Sequence, residues 1–237
     1  RGQTFAGHAL AHVGFTGATG AVLVGLAPLW GLVALTTAAG IAMGFTGERL
    51  AQRDVAIGLV LAFALALGLL FLHFYTAFAT QATTLLFGNV LAVDVPTVVV
   101  LLILGTASLA MLAVISRPLI FASLEPELAE AKGVSLRLYS VLFLAIIALT
   151  TAECAQIVGV LLVFALMVGP AAAAQRFART VVAGIALSAF LALIEAWGGI
   201  TLAYYTDWPS SFWITALSVA IYVLAVVPRP VAARRSA

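Results

Sequence analysis

The sequence predicts an all-α protein, a polytopic bundle of transmembrane helices. Three observations carry that prediction. Hydrophobic residues make up 64% of the chain and charged residues 8%, against about 25% charged in an ordinary soluble domain, and the mean hydropathy is +1.20. So few charges cannot clothe a water-soluble surface. The apolar runs are about 17–23 residues long, the length with which a helix crosses about 30 Å of hydrocarbon at about 1.5 Å per residue. They also lack the alternation of polar and apolar residues that marks a membrane β-strand.

Cutting the chain at charges, prolines and glycine-rich turns gives about eight spans, near 5–26, 29–46, 55–73, 96–115, 138–157, 158–174, 181–204 and 212–227. Only Gln156, Val158 and Gly159 hint at a turn between the fifth and sixth, so one broken helix is the alternative there. The basic residues fix the orientation. Arg1, Arg49 and Arg53, then Arg117, Lys132 and Arg137, then Arg176 and Arg179, then Arg229, Arg234 and Arg235 all fall in alternate loops or tails. The other loops carry only Asp94 and Asp207. Basic residues stay on the cytoplasmic side during insertion, so the basic loops and the C-terminus are placed inside. Tyr204, Tyr205, Trp208 and Trp213 gather at the opposite end of the last hairpin, where amphipathic rings favour the membrane interface.

The stretch from Phe74 to Val95, followed by Pro96, is too polar and broken to cross, and a short helix at the outer face is expected there. Residues 1–237 read as a single transmembrane domain. The chain begins at Arg1 without a methionine or a signal-peptide pattern, and a preceding hydrophobic span is expected. Cys154, the single cysteine, excludes an internal disulfide framework and a thiolate metal cluster. The basic residues form no cluster on one segment, so no nucleic-acid partner is expected.

Four ionisable side chains fall well inside the expected spans: His8, His12, Glu153 and Glu195. Such residues are expensive in a membrane and usually face a bundle interior or a water-filled cavity. His8 and His12, in GHALAHVGFTGA, stand at i and i+4, on one face of a helix. Two neutral imidazoles there can reach one ion at about 2.0–2.1 Å, which suits Zn²⁺ and other late first-row metals. The blander reading is that each histidine bonds a neighbouring helix. Gly7, Gly14, Gly17 and Gly20 keep side-chain bulk off the same helix, which favours close packing or a path beside it. Glu153 sits among Thr150, Thr151 and Gln156 and reads as hydrated near the outer interface. Glu195 precedes Gly198 and Gly199, a place for a loosened helix. Neither is assigned as a ligand, and His73 stands at the outer end of the third span.

The longest inner loop runs from Ser116 to Ser140. Within it Glu125–Lys132 can form a short helix, with Pro126 in the first turn, where its missing N–H costs nothing. Acidic residues come early, Lys132 comes late and Gly133 stands at the stop, as helix ends prefer. One reading is a solvated connector, the other a knob that docks on a soluble partner.

Four blocks in order resemble a family. GHALAHVGFTGA is similar to a Gly-Asp-Ala-Leu-Ser-His-Ala stretch, and LLFGNVLAV to Leu-Phe-Gly-(Ser/Asp)-Ile-Leu-Ala-Val. SLEPELAEAKGV is similar to Phe-Asp-Pro-Glu-Phe-Ala-Arg-Ala-x-Gly, and IVGVLLVFALMVGPAAAA to Val-Gly-x-Leu-Leu-Val-x-Ala-Leu-x-x-x-Pro-Ala. The chain thereby resembles, over nearly its whole length, the ABC-3 permeases of manganese, zinc and iron uptake systems. The resemblance implies a type II importer-like bundle that pairs as a homodimer in the bacterial cytoplasmic membrane, in contact with lipid. It implies a cytoplasmic ABC ATPase subunit and an extracytoplasmic metal-binding protein as partners. The loop residues Glu125, Pro126, Glu127, Leu128, Ala129, Lys132 and Gly133 would then be the coupling helix that meets the ATPase. His8 and His12 would hold the metal in passage, with no permanently bound cofactor.

His8 stands where the family usually has aspartate, which exchanges an oxygen ligand for a nitrogen and tilts the preference from Mn²⁺ towards Zn²⁺, with Mn²⁺ or Fe²⁺ next. The chain has no Gly-x-x-x-x-Gly-Lys-(Ser/Thr) loop, so it is expected to be a transport subunit and not the ATP-hydrolysing enzyme. Two rivals remain at this stage. A proton-coupled secondary metal transporter would relay protons through the histidines and glutamates. An intramembrane metalloenzyme would need a third ligand and a catalytic acid, and the chain lacks the His-Glu-x-x-His pattern.

Overall fold

The computed structural model describes residues 4–45, 50–74, 85–88, 90 and 93–226, the side chains of 4–5 and 50–57 excepted. A helix occupies each of the eight expected positions. These are α1 (Thr4–Leu23), α2 (Pro28–Phe45), α3 (Leu50–His73), α4 (Val95–Leu124), α6 (Leu136–Val158), α7 (Val160–Phe177), α8 (Val181–Thr206) and α9 (Ser210–Val226), with the short α5 (Pro126–Ala131) between α4 and α6. Five of them, α2, α4, α6, α7 and α8, are long and apolar enough to cross a membrane, and 58–73 and α9 are shorter apolar helices. α1 falls below that measure because it carries two histidines, three threonines and four glycines in 20 residues.

The chain divides into two compact units, Arg1–Val163 and Phe164–Ala237. In the first, α1 packs against α2, α3 and α6, and α6 packs in turn against α2 and α4. α1 is buried on nearly every face: Ala9, Leu10, Ala11, Phe15 and Ala18 have no exposed surface. Glycine makes that closeness possible. A Cβ on Gly17 would collide with the Gly31 backbone of α2, and one on Gly68 of α3 would stand 2.5 Å from the Phe15 ring. α2 reaches α6 in the same way, since a Cβ on Gly44 would lie 2.6 Å from Val141 Cα. Small residues are how membrane helices gain contact where lipid removes the hydrophobic drive.

Two boundaries differ from expectation or settle it. The fourth span was expected to end near 115, before Pro118, but α4 runs on to Leu124 with Pro118 inside it. Ile115, Leu119 and Ala122 are buried at i, i+4 and i+7, and that stripe holds the helix together beyond the bond that proline cannot make. At about 1.5 Å per residue its 30 residues outrun the hydrocarbon core. The fifth and sixth spans are separate helices, broken at Gly159, whose φ is 82°. A Cβ there would collide with the backbone of Phe87 and Gly88, itself at φ 71°. The LLFGN and IVGV blocks of the sequence thus touch through two glycines. Most of the expected outer-face helix, and Arg1, Arg49 and Arg229 to Arg235, lie outside the described residues.

In the second unit α8 and α9 form a packed hairpin. Thr180 caps α8 by accepting from the Ala183 amide at 3.2 Å. Its far end turns at Asp207, in the left-handed region at φ 55°. Trp213 Nε1 donates to Thr206 Oγ1 at 2.8 Å across that turn, and Trp208 stacks on Trp213 at 5.7 Å.

Candidate metal site and coupling segment

The two histidines project from the same face of α1 with ring centroids 4.9 Å apart and planes at 86°. His12 is only 5% exposed, whereas His8 is half-buried. His12 Nδ1 has no hydrogen-bond partner among the described residues. A buried imidazole nitrogen with an unused lone pair or proton is costly unless something fills the role. Below the pair, Thr16 donates to the His12 carbonyl at 3.4 Å and to the Ala64 carbonyl of α3. A Cβ on Gly7, next to His8 in the chain, would stand 3.9 Å from Ile147 of α6. Among the described residues no group of three or more His, Cys, Asp or Glu side chains converges. The pair therefore offers two nitrogens, with no third side chain of those types closing a cage, an arrangement suited to brief ligation.

Glu153 is not beside the pair in any such group. It is half-buried in α6 and accepts from Ser108 Oγ of α4 at 3.4 Å, and Gly105 one turn away leaves room at its other oxygen. Ser108 was not singled out in the sequence; a lone serine in an apolar run gives no signal until its partner helix is known. Glu195 is fully buried in α8 with neither carboxylate oxygen bonded among the described residues.

Between α4 and α6 the expected short helix forms, in a connection shorter than the expected Ser116–Ser140 loop. α5 is six residues, preceded by Glu125 and carrying Glu127 in its first turn. Its end is a Schellman turn: the Val134 amide donates to the Ala129 carbonyl and the Gly133 amide to the Glu130 carbonyl, both at 2.9 Å. Gly133 takes the left-handed conformation this needs, φ 81°. Ala129 is buried against the neighbouring helices while Leu128, Glu127 and Glu130 remain exposed. Lys132 Nζ lies 5.7 Å over the Phe121 ring, and Ser135 opens α6 by accepting from the Leu138 amide at 3.3 Å. The result is a short knob braced on α4 and α6, with an exposed acidic and apolar face.

Five helices long and apolar enough to cross a membrane, with a histidine pair and a braced knob between two long helices, define a multi-pass helical membrane protein. The particular family follows from comparison: the sequence profile of the ABC 3 transport family matches residues 1–229, and this chain belongs to that family. Among its relatives is the manganese transport system membrane protein MntC of Halalkalibacterium halodurans, 27% identical, covering 95% of this chain and 77% of that protein. The high-affinity zinc uptake system membrane protein ZnuB of Haemophilus influenzae is 24% identical, covering 97% of this chain and 88% of the relative. Of solved structures, PsaBC from Streptococcus pneumoniae in complex with Fab superposes with a TM-score of 0.84 at 25% identity, over 95% of this chain and 81% of that one.

Proposed function

We propose that this chain is the membrane-spanning permease subunit of an ATP-driven importer of divalent transition metal ions, with zinc first and manganese or iron next. The observation that carries the reading is the His8–His12 pair, 4.9 Å apart on the most enclosed helix of a family member whose relatives are named for manganese and zinc transport. All eight long helices cross the bacterial cytoplasmic membrane as a single permease domain, with the C-terminus inside, and two copies pair as a type II importer does. A metal-loaded binding protein delivers the ion from outside. Residues Glu125–Gly133 form the coupling helix, whose exposed face meets a cytoplasmic ATPase subunit. Because α5 is braced on both α4 and α6, displacing it moves two long helices together.

The ion is the cargo, and the chain's own part in its passage is limited. His8 and His12 supply two neutral nitrogens, which select a late first-row cation without adding a charge that would hold it. The glycines of α1 let α2 and α3 pack close beside the helix that carries the imidazoles. Release follows when the helices around α1 change their packing.

The test is zinc uptake into vesicles holding the full-length permease with its ATPase and binding protein. His8→Ala, His12→Ala and the double variant should cut uptake at least tenfold while complex assembly and ATPase activity persist. Uptake that survives the double variant would sink the histidine assignment. Uptake that persists without the ATPase and collapses with the proton gradient would instead establish the secondary-transporter reading.

A further inference from the structure

Glu195 is the one described acid with no exposed surface, and it sits 15 residues into the 26-residue α8. No hydrogen bond reaches either carboxylate oxygen among the described residues. No protein cation of its own unit stands near it in the chain. Among the described residues from Phe164 to Val226 the only basic side chains are Arg176, in the last turn of α7, and Arg179, just before α8, whose first residue is about 21 Å along the helix from Glu195. α9 carries no Lys, Arg, His, Asp or Glu at all. A carboxyl so placed is neutralised either by a proton or by a cation that the described residues of its own unit do not supply.

Oxygen atoms from all three helices of this unit gather at the same place. Ser218 of α9 is 2% exposed and lies on the face turned to Glu195, since the hairpin sets Gly199 against Ile214 and both residues stand one turn further from the bend. The Ser218 hydroxyl touches the carbonyl oxygen of Ala165 on α7, at 3.0 Å. Glycine brings the helices together here. A Cβ on Gly169 of α7 would collide with Ser218 Oγ, and one on Gly199 of α8 would lie 2.9 Å from the Ile214 amide of α9.

We propose that Glu195, the Ser218 hydroxyl and the Ala165 carbonyl form a cation site of α7–α9, separate in its ligands from the histidine pair. The donor set is all oxygen: one carboxylate that can bind through both atoms, one hydroxyl and one carbonyl. Such a set takes hard cations, Mn²⁺ among the transported candidates, and discriminates against the softer preference of two imidazoles. Carboxylate charge makes it the tighter of the two for Mn²⁺. The proposal rests on the reading of the chain as a handler of divalent cations, and its test is binding, not transport.

The experiment is Mn²⁺ titration of the full-length permease in lipid nanodiscs, followed by the loss of the free-ion electron paramagnetic resonance signal. The probe is Mn²⁺ alone. The His8→Ala/His12→Ala double variant should keep one Mn²⁺ site, and adding Glu195→Gln, which preserves shape, should weaken it tenfold or more. Ser218→Ala should weaken it several-fold and checks the same site if Glu195→Gln lowers the yield of folded protein. Unchanged Mn²⁺ binding in Glu195→Gln would overturn the proposal. So would an infrared band of a protonated carboxyl that persists at saturating Mn²⁺ and vanishes in Glu195→Gln, for then a proton supplies the neutralisation. Either result leaves the uptake test of the histidine pair standing, whereas failure of that uptake test leaves this binding result readable.

Discussion

α1 and α8 are opposites. α1 is the more polar, with its histidines, threonines and glycines, yet the structure closes protein around nearly all of it. α8 is one of the five helices long and apolar enough to cross a membrane, yet Val182, Ile185, Phe190 and Trp197 are all exposed and its buried residues are Glu195 and Gly199. In water the apolar helix would be the buried one. In a bilayer the lipid accepts apolar side chains as readily as a protein interior does, so small and polar residues are what the interior selects. The candidate histidine pair therefore sits on a helix less hydrophobic than α8.

The largest way to break that contrast is to enlarge a glycine on α1. Gly17→Leu would drive side-chain carbon into the Gly31 backbone, which cannot rotate away as a side chain would. We expect a loss of about 3 kcal/mol or more, seen as failure to recover monodisperse protein and a collapse of the thermal melting point. The counterpart on α8 is Gly184→Ala, whose Cβ would meet only Ala178 at an ordinary 3.4 Å. It should leave stability unchanged or raise it by about 0.5–1 kcal/mol through helix propensity. Equal effects at the two positions would remove the distinction between the helices.

A second change acts on the site without touching the packing. His8→Asp puts a carboxylate oxygen at the half-buried end of the pair. Uptake measured with Zn²⁺ and Mn²⁺ in competition should shift towards Mn²⁺ by about tenfold, since carboxylate oxygen suits the harder ion. A ratio that does not move would mean that selection occurs before the ion reaches α1.

Much of this was legible in the sequence, for reasons that differ by residue. Helix positions followed from span length, and α5 from Pro126, Lys132 and Gly133, because these signals are local. The extension of α4 through Pro118 was not legible: the stripe of Ile115, Leu119 and Ala122 matters only when something packs on it. Gly159 looked like a faint turn, and what fixes it is the Gly88 backbone 71 residues earlier. For the site, the i, i+4 spacing placed His8 and His12 together, which the ring separation bears out. The burial of Glu195 was not legible, since Gly198 and Gly199 suggested a loosened, hydrated helix. In the structure Gly199 instead lets α9 press in and seal the carboxylate from solvent.

A smaller effect belongs to the knob. Gly133 has open space where a Cβ would go, so Gly133→Ala is opposed by its positive φ alone. The cost should be about 1 kcal/mol, and Gly133→Asn should cost less because asparagine tolerates that conformation. If α5 transmits force, the number of ions moved per ATP should fall in Gly133→Ala and recover in part in Gly133→Asn. A change in stability without any change in that ratio would make the turn a connector only.

The smallest expected effects compare how the two units hold their helix starts. Ser135→Ala and Thr180→Ala each remove a single capping bond, of 3.3 and 3.2 Å, from an exposed N-terminus. Each should cost about 1 kcal/mol locally, near fivefold in the opening of the first turn, read by amide hydrogen exchange. The consequences should then diverge. α6 is anchored about two turns on by buried Leu144 and Ile146 and packs on α1, α2 and α4, so fraying at Ser135 should stop before Leu144. α8 has no buried residue until Glu195, so nothing in its own first half arrests fraying from Thr180. Faster exchange should therefore reach further along α8, beyond Ala189, than along α6. Equal spread in both would mean that the lipid holds an exposed apolar helix as firmly as protein holds a buried one.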